Sequence, residues 1–190
     1  MSEKFKGKYR IESARLQNWD YASSGLYFIT ICTADRQHFF GEVEGGVMQL
    51  SEIGEIAKEH WCEIPGNFPF ADLNEFVVMP NHIHGIIVIN NTKDVIDGRD
   101  AINRVSTNDN TQMHGGVTGS NNPMLSDNLS RIIRWYKGRV TFETRKIHAD
   151  FMWQSRFHDH IIRNNESYCR IRDYIRNNPS TWDEDKFRHE

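Results

Sequence analysis

Cysteine is scarce in this sequence. There are three in 190 residues, Cys32, Cys62 and Cys169, with no Cys-x-x-Cys pair. An odd, scattered set argues against a disulfide framework and for a reducing compartment, with the three serving as small buried hydrophobes. No run of 18 apolar residues occurs, so no transmembrane helix is expected. The opening stretch MSEKFKGKYRIESARLQNW has no apolar core. No secretory signal is therefore expected, and the cytoplasm is the expected location. Excess positive charge is also missing. Lys+Arg number 23 against 26 Asp+Glu, a formal charge of −3, which argues against a uniformly basic nucleic-acid binder.

What is present suits one globular domain spanning 1–190, with 38% hydrophobic and 26% charged residues. A chain of this size buries roughly 70% of its unfolded surface. Charge is unevenly spread: Ser126 to Asn178 holds 11 Lys+Arg and 6 Asp+Glu, leaving the remainder acidic. A basic block of this kind is compatible with a local phosphate-binding face.

Periodicity places the elements. GLYFITIC opens a strand whose Leu26, Tyr27, Phe28, Ile29, Ile31 and Cys32 are apolar on both faces, as in a central strand. LSEIGEIAKEHWCEIP reads as a helix, with Ile53, Ile56, Ala57 and Trp61 on one stripe, Ser51 as cap and Pro65 as stop. A two-part strand follows, Leu73–Met79 and His84–Ile89, interrupted by Pro-Asn-His. The Asn-, Thr- and Gly-rich stretch 90–123 has no periodicity and reads as a flexible insertion. Ser126 to Lys146 is a helix striped by Leu129, Ile132, Ile133, Tyr136 and Val140. A loop and short strand occupy Phe151 to Asn164, and a last helix from Glu166 to Asn177 is stopped by Pro179. This order predicts an α+β sandwich.

The chemistry concentrates in FVVMPNHIHGIIVI. Side chains alternate along a strand, so His82 and His84 share one face while Ile83 points into the core. Two adjacent imidazoles form a bidentate pair for a divalent metal; the alternative is a pair of surface histidines. Gly85 reads as space left for a ligand's close approach. Four residues apart on the last helix, Tyr174 and Asn178 share a face. Asn178 offers an amide oxygen as third ligand, and Tyr174 a hydroxyl one turn away. Two imidazoles and an amide oxygen with open positions suit Mg²⁺ or Mn²⁺ rather than structural zinc.

These blocks resemble a family. MPNHIHGIIVI is similar to the His-hydrophobic-His motif of the single-tyrosine HUH transposases, and YIRNNP (Tyr174 to Pro179) to the end of their catalytic helix. LSRIIRWYKGRVT and WQSRFHDHIIRN resemble the blocks between, and the likeness is closest to the REP-associated tyrosine transposases. It spans Tyr27 to Pro179 apart from the insertion.

The resemblance implies a ferredoxin-like sandwich, with a central antiparallel sheet bearing the histidines and helices packed on it. It implies metal-dependent cleavage and strand transfer of single-stranded DNA near a hairpin. His82, His84 and Asn178 would be metal ligands and Tyr174 the nucleophile, leaving a 5′-phosphotyrosine. The protein would associate with the nucleoid when bound, and a homodimer is one arrangement known to the class. A two-tyrosine mechanism is disfavoured, since Tyr168 and Tyr174 face about 120° apart on a helix. For DNA contact, Arg131, Arg134, Lys137 and Arg139 supply charge and Trp153 a ring for stacking. The competing readings are a DNA-binding module without turnover, a replication-initiator or relaxase-type nickase, and a hydrolase of small phosphoesters.

Overall fold

A computed structural model describes residues 19–90 and 127–188; the insertion expected at 90–123 lies, beyond its first residue, outside them. The backbone runs β1 (Gly25–Cys32), the hairpin β2 (Gly41–Glu44) and β3 (Val47–Leu50), α1 (Glu52–Cys62), a helical turn α2 (Ile64–Asn67), β4 (Ala71–Met79), β5 (His82–Ile89), α3 (Leu129–Thr144), β6 (His158–Ile162) and α4 (Asn165–Asn177). A 3₁₀ segment, Pro179–Glu184, follows α4.

Four strands form one antiparallel sheet in the order β4-β5-β1-β6. Setting aside the β2–β3 hairpin and α2, the elements read β-α-β-β-α-β, the ferredoxin-like sandwich. β1 is central, as its two-faced apolarity requires. Tyr27, Ile29 and Ile31 join Ile83, Ile87 and the buried stripes of α1 and α3 in the main core. Phe28 packs on the opposite face, where Ile86, Ile162, Ile171 and Ile175 seat α4.

The cap at Ser51 and the stop at Pro179 hold, whereas Pro65 does not stop α1, which ends at Cys62; it sits in the first turn of α2, where a missing N–H costs nothing. Ser51 caps α1, its Oγ accepting from the Gly54 amide at 3.1 Å. Asn128 and Asn164 cap α3 and α4 in the same way. Two further expectations are corrected. The two-part strand is two strands, and Pro80–Asn81 is the turn that reverses the chain so that Met79 pairs with His82. Periodicity cannot see that reversal, because both arms lie inside the sheet. Cys32 alone is buried; Cys62 is exposed and Cys169 half-buried, all three with free thiols.

A bulge in β4 shifts its register between Leu73 and Phe76. The re-aimed residues hold α4: Tyr168 donates to Asn74 Oδ1 at 2.9 Å, and Arg176 pairs with Glu75. This fixes the face of α4 that carries Tyr174. No helix among the described residues is long and apolar enough to cross a membrane.

Candidate metal and tyrosine site

β5 begins at His82, and alternation turns His82 and His84 toward the α4 side of the sheet. Both are buried, with ring centroids 4.4 Å apart. Their outer nitrogens are fixed from behind. Asn81 spends its amide on two backbone carbonyls, of Arg36 at 3.1 Å and Phe187 at 2.8 Å. Its Oδ1 is therefore the acceptor for His82 Nδ1 at 2.8 Å, which places the His82 proton on Nδ1. His82 Nε2 is left as a bare lone pair, buried with no partner. Thr30, directly across the ladder, holds His84 Nδ1 at 2.8 Å.

Burial holds His82 well below its ordinary pKa, with His84 and Arg36 adding to the shift. Burial, then Lys186, pushes His84 down to about 3. Both rings are neutral at pH 7, the form in which imidazole ligates a metal.

Tyr174 stands on α4 over this pair. Its hydroxyl lies 3.1 Å from His84 Nε2, although ninety residues separate them in sequence. The side chain is 39% exposed, so the phenol is reachable from solvent. Burial and the Asp185 carboxylate push its pKa up to about 12. Tyr168, by contrast, faces β4 through Asn74, as the helical angle requires.

Asn178, the expected third ligand, caps α4 and is fully buried. Its Nδ2 donates to Asp185 Oδ2 at 3.0 Å, while its Oδ1 is buried with no partner. Asp185 is a group the sequence reading missed. The segment after Pro179 folds back and brings it in, so that one atom each of His82, His84 and Asp185 lies within 4.8 Å of the others. Two neutral imidazoles, a carboxylate and an unsatisfied amide oxygen fit a divalent cation. Phe187 covers the pair, its ring centroid 4.7 Å from His82 and 5.6 Å from His84.

A cavity of about 350 Å³ opens beside Tyr174 and His84, walled by Phe28, Arg36, Arg156 and Lys186 among others. The residues expected to bind DNA sit elsewhere. α3 packs on the sheet face opposite the histidines, so Arg131, Arg134 and Arg139 are exposed beyond that far layer. Lys137 donates to the carbonyls of Gln154 at 2.6 Å and Arg156 at 3.3 Å, fastening the loop that walls the cavity. Trp153 packs against Phe40, Phe151 and Tyr136 and donates to the Lys137 carbonyl. Gly85 does not face the histidines. A Cβ there would meet Trp61 at 2.4 Å, so the glycine answers core packing, not ligand approach.

The fold is shared with a solved REP-associated tyrosine transposase bound to a REP hairpin, which superposes with a TM-score of 0.55. That match covers 88% of this chain and 74% of the other at 20% identity, and at that identity it is the fold that is shared. A crystal structure from Deinococcus radiodurans R1, described as a candidate transposase, covers 86% of this chain and 95% of its own at 12% identity and a TM-score of 0.43, too loose to argue from. No protein-family model matches the chain. It is 36% identical over 181 residues, 95% of its length and 94% of the relative's, to an uncharacterized protein of Haemophilus influenzae. The chain belongs to the family of that Haemophilus protein.

Proposed function

We propose that this protein cleaves and rejoins single-stranded DNA by covalent catalysis at Tyr174, with Mg²⁺ or Mn²⁺ held by His82, His84 and Asp185. The observation that carries this reading is the Tyr174 hydroxyl 3.1 Å from His84 Nε2, beside the partnerless His82 Nε2. Asn178 holds Asp185 in place and adds its free amide oxygen to the donor set. When bound, the ion would supply Lewis-acid stabilisation of charge on the phosphate oxygens.

The chain's own groups do the rest. Without a cation the phenol keeps its proton, since burial and Asp185 both oppose its loss. Tyr174 Oη forms a bond to phosphorus while the bond from phosphorus to the 3′-oxygen breaks. The phenolic proton passes to solvent, and the departing oxygen takes one up. The resulting 5′-phosphotyrosine retains the ester bond, so a second 3′-hydroxyl can reverse the step and join strands without ATP. His82, His84, Tyr174 and Asp185 all come from one chain. The bound hairpin of the REP-associated neighbour makes hairpin DNA the proposed substrate. Arg131, Arg134 and Arg139 would then meet only DNA extending beyond the cleaved strand, such as a stem. A cytoplasmic, nucleoid-associated location follows from such a substrate.

The test is a denaturing gel of protein incubated with hairpin oligonucleotides and Mn²⁺. A covalent adduct in the native protein, absent in Tyr174→Phe and without metal, is the expected result. DNA bound with no adduct would mean a binding module. Cleavage with no adduct would mean direct hydrolysis by water.

A further inference from the structure

Left-handed backbone is costly for any residue with a Cβ, which crowds the following carbonyl oxygen. Two consecutive residues adopt it here, Asp35 at φ 49° and Arg36 at φ 51°, and they are the only such non-glycine residues among those described. Strain of this kind survives where the surroundings fix it, and it collects at functional sites.

The fixing contacts lead to the histidines. Thr33 Oγ1 lies 2.8 Å from the Gln37 carbonyl and 3.0 Å from the Asn81 carbonyl, closing the turn at its base. The Arg36 carbonyl receives Asn81 Nδ2, and Asn81 in turn orients His82. The same turn swings the Arg36 side chain into the wall of the cavity that His84 and Tyr174 share. Its guanidinium stacks on Phe187 with 4.4 Å to the ring centroid. Its Nη1 is buried with no hydrogen-bond partner. A buried guanidinium N–H without an acceptor is expensive and uncommon, and its planar fork matches phosphate oxygens.

We propose that Arg36 grips the phosphate that Tyr174 attacks, its guanidinium donating from the cavity wall to a non-bridging oxygen. The assignment rests on the DNA-cleavage reading. It adds a phosphate-binding residue that neither the histidine block nor the tyrosine helix contains. The strain at Asp35–Arg36 is explained as the cost of placing one backbone carbonyl behind His82 and one guanidinium in front of the reacting group.

The test compares Arg36→Ala, Arg36→Gln and Arg36→Lys in the full chain, using a fluorescein-labelled oligothymidylate titrated at several KCl concentrations. Mn²⁺ affinity, read by electron paramagnetic resonance, should not fall below native in any of the three, because the carbonyl behind Asn81 is backbone and loss of the Arg36 charge near His82 favours a cation. Oligonucleotide affinity should fall about tenfold in Arg36→Ala, as expected for one charged hydrogen bond. The slope of log K against log salt should shrink by roughly 0.7, one phosphate contact on a single strand. Arg36→Lys should keep that slope. A loss of stability alone would leave the slope unchanged. If Arg36→Ala melts early, Arg36→Gln, which can still cover Phe187, carries the comparison. Unchanged affinity and slope would overturn the assignment, as would adduct formation at the native rate in Arg36→Ala. Native protein that binds the oligothymidylate through an Arg36-dependent slope yet forms no adduct with hairpin oligonucleotides and Mn²⁺ would sink the cleavage reading and leave the phosphate contact standing.

Discussion

Gly85→Ala separates two roles for one residue. Strand alternation puts Gly85 on the face of Ile83, where a methyl group would lie 2.4 Å from Trp61 Cζ2 and 3.0 Å from Phe76 Cβ. Ordinary contact begins near 3.4 Å, so about 1 Å of overlap must be relieved. Neither neighbour yields readily. Trp61 is fully buried and packed edge-on against Tyr136, with centroids 5.2 Å apart, and Phe76 Cβ is anchored to its own strand. Overpacking of a rigid core costs about 1–3 kcal/mol, and this site belongs at the upper end. For a chain of this length that is a melting-temperature fall of about 6–12 °C. The assay is urea denaturation, in which the midpoint should drop at constant m-value. Mn²⁺ affinity of the still-folded variant should stay within about twofold of native, because the histidines lie on the other face. A variant as stable as the native protein that no longer binds Mn²⁺ would refute this reasoning and restore Gly85 to the ligand side.

Acid should weaken the metal-free protein. His84 falls from an ordinary value near 6.5 to about 3 on folding, so the unfolded chain takes up its proton first and stability is lost as pH drops below 6.5. At pH 5 the loss from His84 alone is about 2 kcal/mol relative to pH 8, with His82 adding in the same direction; denaturant titrations of native protein and His84→Gln measure it, and equal pH dependence would contradict it. Thr30→Val removes the partner of His84 Nδ1 and should lower Mn²⁺ affinity about 10–100-fold by calorimetric titration. Asp185→Ala should lower it at least as far, and Asn178→Ala less, because the Phe187 amide still holds the Asp185 carboxylate.

Much of this was legible in residue order, because the signals were local. The apolar character of Tyr27 to Ile31 on both faces marked a central strand, and Ser51 marked the start of α1. Alternation paired His82 with His84, and the four-residue spacing paired Tyr174 with Asn178. The same alternation puts Gly85 on the face opposite His84, toward Trp61 and away from any ligand. Pro80–Asn81 carried a turn signal that two flanking apolar arms disguised as an interruption. What could not be read is long-range. Asp185 follows a helix stop with no pattern around it, and only the fold-back of the chain brings it to Asn178. Arg36 sits in a polar loop whose left-handed backbone has no glycine to announce it. Trp153 combines a polar edge with a large ring, and packing against Phe40 and Phe151 decided between base stacking and core.

The proposed chemistry requires His82 and His84 to hold one divalent ion jointly in front of Tyr174. Pulsed electron paramagnetic resonance of the Mn²⁺-loaded protein counts directly bound imidazole nitrogens. Two are predicted in the native protein, one in His82→Ala and one in His84→Ala, with both retained in Tyr174→Phe. A spectrum with no bound nitrogen, or one unchanged by both histidine substitutions, would contradict it.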